Sequence, residues 1–238
     1  MHYALVTGTD HGIGLELARQ LLSRGYYVTA CRLRPQEEAI DALCAGNPGR
    51  MQVLTLDISQ DESVKQMAQA VERATPCLDL LINNAGILGD MAKTVGDELD
   101  FDEMLRVFNV NALGPLRVKN ALAAHLLRGE EKKIINLSSE AGSIQDCWRE
   151  GWFGYCMSKA ANNMQGALVQ NALRRGGVRV VQMHPGHVAT YMRGHLDTTA
   201  RITPDLSAAG ILRVALDTAW PASDRHLFLD EQGNTLTY

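Results

Sequence analysis

Tyr3-Ala4-Leu5-Val6-Thr7-Gly8-Thr9-Asp10-His11-Gly12-Ile13-Gly14 is the stretch whose reading decides the fold. Tyr3 to Val6 is short, apolar and suited to a buried strand, and the glycine run after it opens an amphipathic helix through Leu15, Leu17, Ala18, Leu21 and Leu22. Strand, glycine turn and helix in that order form a dinucleotide-binding pattern. Gly8, Gly12 and Gly14 let the backbone turn tightly and approach a pyrophosphate, whose charge is stabilised by free N–H groups at the helix N-terminus. Glycines also punctuate ordinary turns, so the flanking strand and helix carry the weight of this reading.

Outward from there, Tyr26 to Ala30 is a second strand, ending at Cys31-Arg32-Leu33-Arg34, where such a fold reads the adenosine ribose. No carboxylate stands there to accept from an unmodified ribose. Arg32, with Arg34, would attract a 2′-phosphate, so NADP(H) is expected ahead of NAD(H). The competing view is that both arginines are solvated at a loop entrance. Further along, Gln36 to Cys44 reads as a helix and Met51 to Leu56 as a third strand. Asp57 or Ser59 can cap the helix that follows. Leu78 to Ile82 is a fourth strand running into Asn83-Asn84-Ala85-Gly86, small enough for a cofactor to lie against backbone.

Asp97 to Leu127 has helical periodicity, with Gly114-Pro115 expected to bend or divide it. Lys132 to Leu137 is a fifth strand, followed by Ser138-Ser139, a turn at Gly142, and the aromatic loop Cys147-Trp148-Arg149-Glu150-Gly151-Trp152-Phe153. Trp148, Trp152 and Phe153 can line an apolar substrate pocket or serve as core or dimer contacts. The helix after them reaches about Arg174, where Gly176-Gly177 stops it. It carries Tyr155 and Lys159, stacked one turn apart on one face. An ammonium beside a phenol favours the phenolate, so this pairing is expected to lower the tyrosine's pKa toward the working pH. Val178 to Met183 is a sixth strand, Pro185 takes the chain off the sheet, Tyr191 to Ile202 reads as a mobile lid, and Leu227 to Leu229 is a last strand.

Composition bounds the rest. The 238 residues suit one α/β domain spanning 1–238, with 46% hydrophobic content and a formal charge of -4. That charge argues against a phosphate-backbone binder, so no nucleic-acid partner is expected. No window approaches the ~18 unbroken apolar residues of a membrane span and no signal peptide is evident, so a cytoplasmic protein without membrane attachment is expected. Five scattered cysteines without a Cys-x-x-Cys pair fit reduced thiols, and no zinc-type spacing of histidines or cysteines points to a metal site.

Taken together, Thr7-Gly8-x-x-x-Gly12-Ile13-Gly14, Asn83-Asn84-Ala85-Gly86, Asn111 before Gly114, Ser139, Tyr155-x-x-x-Lys159 and Pro185-Gly186-x-Val188-x-Thr190 resemble the short-chain dehydrogenase/reductases over nearly the entire chain. Glu140 to Ile144, Thr190 to Met192, Ile202 to Pro204 and Phe228 to Gly233 are similar to the sniffer-type carbonyl reductases and C-factor-like proteins. The resemblance implies a Rossmann-type doubly wound parallel sheet of seven strands, with NAD(P) across its C-terminal edge and a substrate lid around residues 190–203. It implies that Tyr155 protonates a carbonyl oxygen, that Ser139 hydrogen-bonds the same oxygen, and that Lys159 holds the nicotinamide ribose. Asn111 would break its helix and anchor a water in a proton relay. Ser143 lies nearer the family's usual spacing to the tyrosine and is the alternative to Ser139. Around the cofactor it places Gly8, His11, Gly12, Ile13 and Gly14 at the phosphates. His11 stands where NADP-preferring relatives often carry a basic residue, which leaves the 2′-phosphate resting mainly on Arg32. Asp57 and Ile58 come by the adenine, Asn84 to Gly86 lie along the dinucleotide, and Val188 and Thr190 flank the carboxamide beside Pro185 and Gly186. Tyr155 and Lys159 count among the cofactor contacts as well. The expected activity is NADP(H)-dependent reduction of an aldehyde or ketone. A non-catalytic NADP-binding regulator and an NAD-dependent alcohol dehydrogenase are the alternatives. A homodimer or homotetramer is implied through the helices around the fifth strand.

Overall fold

In the computed structural model, which describes residues 1–218, 220 and 226–238, seven strands form one parallel sheet in the order β3-β2-β1-β4-β5-β6-β7. They are β1 (Tyr3–Thr7), β2 (Tyr27–Arg32), β3 (Met51–Thr55), β4 (Leu80–Asn83), β5 (Lys133–Leu137), β6 (Arg179–His184) and β7 (Leu227–Asp230). The helices are α1 (Gly12–Ser23), α2 (Glu38–Ala45), α3 (Asp61–Ala74), α4 (Phe101–Phe108), α5 (Gly114–Leu127), α6 (Phe153–Leu173) and α7 (Pro204–Leu212). This is the expected doubly wound α/β sheet. The order reverses between β1 and β4, and that switch point is where such sheets open a crevice at their carboxyl ends.

Parallel strands covered on both faces read as continuous apolar runs, and alternate residues divide between two cores. Ala4 and Val6 of β1, Leu80 and Ile82 of β4, and Ile135 and Leu137 of β5 join Leu17, Leu21, Ile211 and Leu212 of α1 and α7 on one side. Leu5, Leu81 and Ile134 face the other side with Val64, Met67, Val118 and Leu122 of α3 and α5. The inner face of α6 is polar instead. Gly166 admits Gln182 so closely that a Cβ there would stand 1.5 Å from its Nε2, and Gln170 accepts from the Val180 N–H at 2.6 Å.

Two local expectations are corrected. Neither Asp57 nor Ser59 caps α3: the cap position is Gln60, while Asp57 Oδ1 accepts from the Ser59 N–H and hydroxyl at 2.9 and 2.6 Å in a local turn. The segment from Asp97 to Leu127 is divided ahead of Gly114, by a π-helical turn at Asn109–Leu113, with Pro115 sitting harmlessly in the first turn of α5. No helix among the described residues is long and apolar enough to cross a membrane, and they hold no cluster of three metal-ligating side chains.

Candidate active site

The glycine loop leaves β1 with Gly8 and Gly12 in left-handed conformations, φ +70° and +59°. Gly14 is fixed by contact rather than torsion: a Cβ there would stand 2.1 Å from the Gly8 carbonyl oxygen. His11 caps α1 without any side-chain hydrogen bond, and the first turn holds no acidic residue. Its N–H groups are therefore left to meet an anion. Asn84 stiffens the loop from the side, its Nδ2 donating to the carbonyls of Thr7 and Gly8 at 2.9 Å each. The Thr7 hydroxyl accepts the N–H groups of Asn84 and Ala85 at 3.0 and 3.1 Å. Asp10 accepts from the Leu33 and Arg34 N–H groups and so ties the loop to the end of β2. Ile13 packs on the core beneath. A cradle that a single methyl would fill, at an uncapped helix start, fits a dinucleotide pyrophosphate.

At the adenosine end the picture is less open than the residue order suggests. Arg32 is engaged, with Nη1 on Asp41 Oδ1 and Nη2 on the Pro35 carbonyl, both at 2.6 Å. Arg34 pairs with Glu37 at 2.7 Å on the surface. Neither arginine is merely solvated, and any phosphate at this corner meets Arg32 with a carboxylate already on it. Ile58 is buried against the start of α5, where a Cβ on Gly114 would be 2.7 Å from its Cδ1.

Asn111, Ser139, Tyr155 and Lys159 come together at the carboxyl edge of β4 and β5, all of them buried. Asn111 lies in the π turn. Its Oδ1 accepts from the Ile87 N–H at 2.9 Å, and its Nδ2 donates to the Ile87 carbonyl at 2.8 Å and to Ser158 Oγ at 3.0 Å. Ser158 donates in turn to the Tyr155 carbonyl at 2.7 Å, so Asn111 is locked to the helix that carries the tyrosine. Lys159 Nζ donates to the Leu137 carbonyl at 2.9 Å and lies 5.4 Å from the centre of the Tyr155 ring. Gly86 leaves room between them: a Cβ there would be 3.2 Å from Asn111 Oδ1 and 3.8 Å from Lys159 Nζ.

The expected lowering of the tyrosine's pKa is not found. Burial pushes the Tyr155 phenol up to about 12 and outweighs the Ser139 hydroxyl, which acts in the other direction. Burial also pushes the Lys159 amine down to about 8. Below about pH 8 the lysine keeps its charge, yet burial outweighs its pull on the phenol. The two serines differ in setting: Ser139 Oγ accepts from the Ala141 N–H at 3.2 Å and acts on the Tyr155 phenol, whereas Ser143 accepts from the Asp146 N–H at 3.1 Å and lies 3.4 Å from the Thr237 hydroxyl.

Beyond β6, Gly186 has φ +85°, and a Cβ there would stand 2.7 Å from Ile202 Cδ1 and 3.2 Å from the Glu231 carboxylate. The Pro185 carbonyl accepts from Ser207 at 2.6 Å, Val188 bridges to Ile202, and Thr190 lies over Gly12 with its Cγ2 3.5 Å from where a Cβ would be. The loop after β6 thus faces the glycine loop across the crevice. His187 and Arg193 both pair with Asp197, at 3.0 and 3.4 Å, which fastens the expected lid segment to itself.

Residue order alone does not single out Ser158, Thr7, Glu140 or Arg149. Arg149 spans the loop after β5: it forks onto both Glu140 oxygens at 2.7 and 2.9 Å and lies 4.5 and 4.7 Å from the ring centres of Trp148 and Trp152. Trp152 meets Tyr155 edge to face at 6.2 Å, from a left-handed backbone (φ +63°) that costs about 1–2 kcal/mol for a side chain of this kind. Spacing along the chain carries no signal for a contact of this sort.

The chain shares 34% identity with 1-hydroxy-2-glutathionyl-2-methyl-3-butene dehydrogenase of Rhodococcus sp. (strain AD45), over 90% of each chain. It shares 39% with the C-signal protein of Myxococcus xanthus, over 72% of this chain and 99% of that one. Among solved structures, the NADPH-bound carbonyl reductase from chicken fatty liver superposes with a TM-score of 0.88 at 31% identity, covering 100% of this chain and 99% of the other. The carbonyl reductase Sniffer of D. melanogaster has the same fold, with a TM-score of 0.89 at 24% identity and 100% of both chains covered. The sequence profile of the short chain dehydrogenases matches residues 2–201, and the chain belongs to that family.

Proposed function

We propose that this protein is an NADP(H)-dependent carbonyl reductase that converts an aldehyde or ketone to its alcohol, with Tyr155 as the general acid. The observation that carries this reading is the convergence of Asn111, Ser139, Tyr155 and Lys159 beside an uncapped, glycine-lined helix start at the switch point of the sheet. The bound dinucleotide supplies the hydride. Gly8, His11, Gly12, Ile13 and Gly14 would hold its phosphates, Asp57 and Ile58 would lie by its adenine, Asn84 to Gly86 would run along it, and Pro185, Gly186, Val188 and Thr190 would close over its nicotinamide end. Arg32 would meet the 2′-phosphate.

Tyr155 keeps its proton at neutral pH because burial disfavours the phenolate. A protonated phenol is the state that reduction needs, since a developing alkoxide takes that proton. Ser139 donates to the same substrate oxygen, fixing it in line with the phenol. Asn111 anchors the water that refills the proton, and its own side chain is held rigid by Ile87 and Ser158. Residues 190–203 form the lid. Leu105 and Phe108 on α4, Leu113 in the π turn and Leu116 on α5, with Met157, Met164 and Leu168 on α6, are exposed apolar side chains that suit an oligomer interface, as a homodimer or homotetramer.

Two further readings each rest on a specific observation. The engagement of Arg32 by Asp41 leaves less charge for a 2′-phosphate and so favours NAD as the cofactor, the case of an alcohol dehydrogenase. The likeness to a protein named C-signal favours a signalling role for this chain. A panel of aldehydes and ketones with NADPH and NADH, and of the corresponding alcohols with NADP and NAD, followed by cofactor absorbance, decides among the three. Faster oxidation of NADPH supports the reductase. Turnover only of alcohols with NAD, or dinucleotide binding with no turnover, assigns the protein to one of the others.

A further inference from the structure

We infer that Glu140, Arg149 and Trp152 act together as a positioning unit for Tyr155, holding its ring in place at the start of α6. This inference rests on the assignment of Tyr155 as the acid. Glu140 directly follows Ser139, so whatever grips its carboxylate grips the turn after β5 that carries the serine. Arg149 grips both oxygens in a two-pronged bond, and its side chain is only 8% exposed. A planar fork of this kind fixes direction as well as distance. The guanidinium is also within stacking reach of Trp148 and Trp152, a second restraint that a lysine would supply poorly. Trp152 sits at the N-terminus of α6 in a left-handed conformation, three residues before Tyr155, with its ring edge to face with the phenol.

A bulky residue persists in such a conformation only where its surroundings over-determine it. Here the surroundings are Arg149 and the closely packed neighbour Gly151, whose Cβ would stand 2.7 Å from the Lys93 carbonyl oxygen. The pair also matters electrically. Glu140 and Arg149 act on the phenol with opposite signs, the carboxylate raising its pKa by more than the guanidinium lowers it. Cys156 and Lys159 on α6 lie near the phenol, His184 Nδ1 accepts from the Glu140 N–H at 3.4 Å, and the Arg193 guanidinium lies 6.0 Å from the centre of the Trp152 ring.

The test combines a measurement that needs no substrate with one that does. Tyrosinate absorbance is titrated in the protein without added nucleotide, for wild type and for E140Q, and the curve of the same protein carrying Y155F is subtracted from each. Removing the carboxylate should move the Tyr155 ionisation to lower pH, and superimposable curves overturn the electrical half of the inference. With a carbonyl identified in the panel, R149M should lose roughly tenfold to hundredfold in kcat, the scale expected when a reacting group is misplaced by about an ångström, while NADPH binds as before. R149K, which keeps the charge and loses the fork, should lose kcat in the same direction and serves if R149M does not fold. A wild-type kcat in folded R149M or R149K overturns the positioning half. If no carbonyl is turned over at all, the reductase assignment fails by itself, and the titration still decides whether this unit governs Tyr155.

Discussion

Lys159 Nζ sits 5.4 Å from the centre of the Tyr155 ring, one turn along the same helix, and burial drives the two groups in opposite directions. The amine falls to about 8 and the phenol rises to about 12. Below about pH 8 the site therefore holds a cation and a neutral phenol; above it, a neutral amine and a neutral phenol. A dinucleotide is anionic, so the protein's affinity for NADPH should weaken as pH rises through about 8. Fluorescence titrations with NADPH at a series of pH values check this. A dissociation constant that stays level well past that point would show that the Lys159 charge plays no part in binding.

Gly14 has no room for a side chain, because a Cβ would overlap the Gly8 carbonyl oxygen at 2.1 Å. Gly14→Ala must push the loop off the helix, at a cost of about 1–3 kcal/mol in stability. It should also lose most NADPH affinity through the displaced cradle. Thermal melts and nucleotide titration read the two effects separately, and unimpaired binding would remove this loop from the phosphate site.

Arg32 offers a selectivity test, since Asp41 holds its guanidinium at 2.6 Å. Arg32→Ala should weaken NADPH binding by about 1.5–3 kcal/mol, the worth of a charged hydrogen bond, and leave NADH nearly unaffected. Asp41→Asn should do the reverse, tightening NADPH by releasing the arginine. Equal changes for both nucleotides would move 2′-phosphate recognition elsewhere.

Lys119 is fully buried, with its Nζ on Asn136 Oδ1 at 3.0 Å, and burial holds its pKa well below the ordinary lysine value. The sign follows directly. Below the unfolded pKa of about 10.4 the unfolded chain binds a proton that the folded chain lacks, so stability falls as pH is lowered from there toward the folded pKa. The slope from this one group is at most about 1.4 kcal/mol per pH unit. Lys119→Met should abolish that part of the slope, and its advantage over the parent should shrink as pH rises. Urea denaturation at neutral and alkaline pH measures it; parallel curves would mean that Lys119 is charged in the folded protein.

Much of the fold and the phosphate loop is legible in the chain because the relevant signals are local. Short apolar runs mark the seven strands, and Gly8, Gly12 and Gly14 mark the loop, since turn geometry and close approach act over a few residues. What stays hidden depends on partners that only folding brings together. Arg32 reads as a free cation until Asp41 is folded against it, and Asp57 reads as a cap until Gln60 takes that place. The π turn around Asn111 leaves no mark in the helical periodicity: only the family resemblance has Asn111 breaking its helix, and Gly114-Pro115 is compatible with a plain helix start. The direction of the Tyr155 pKa shift is hidden for the same reason: a pair at i and i+4 reveals proximity, while burial by the whole fold sets the larger effect.

The central claim is that Tyr155 delivers the proton, and turnover by Tyr155→Phe on a carbonyl confirmed for the wild type tests it most directly. The expected result is unchanged NADPH binding with a loss of at least ~10²-fold in kcat. A variant that binds NADPH and reduces the same carbonyl at close to the parent rate would contradict the account.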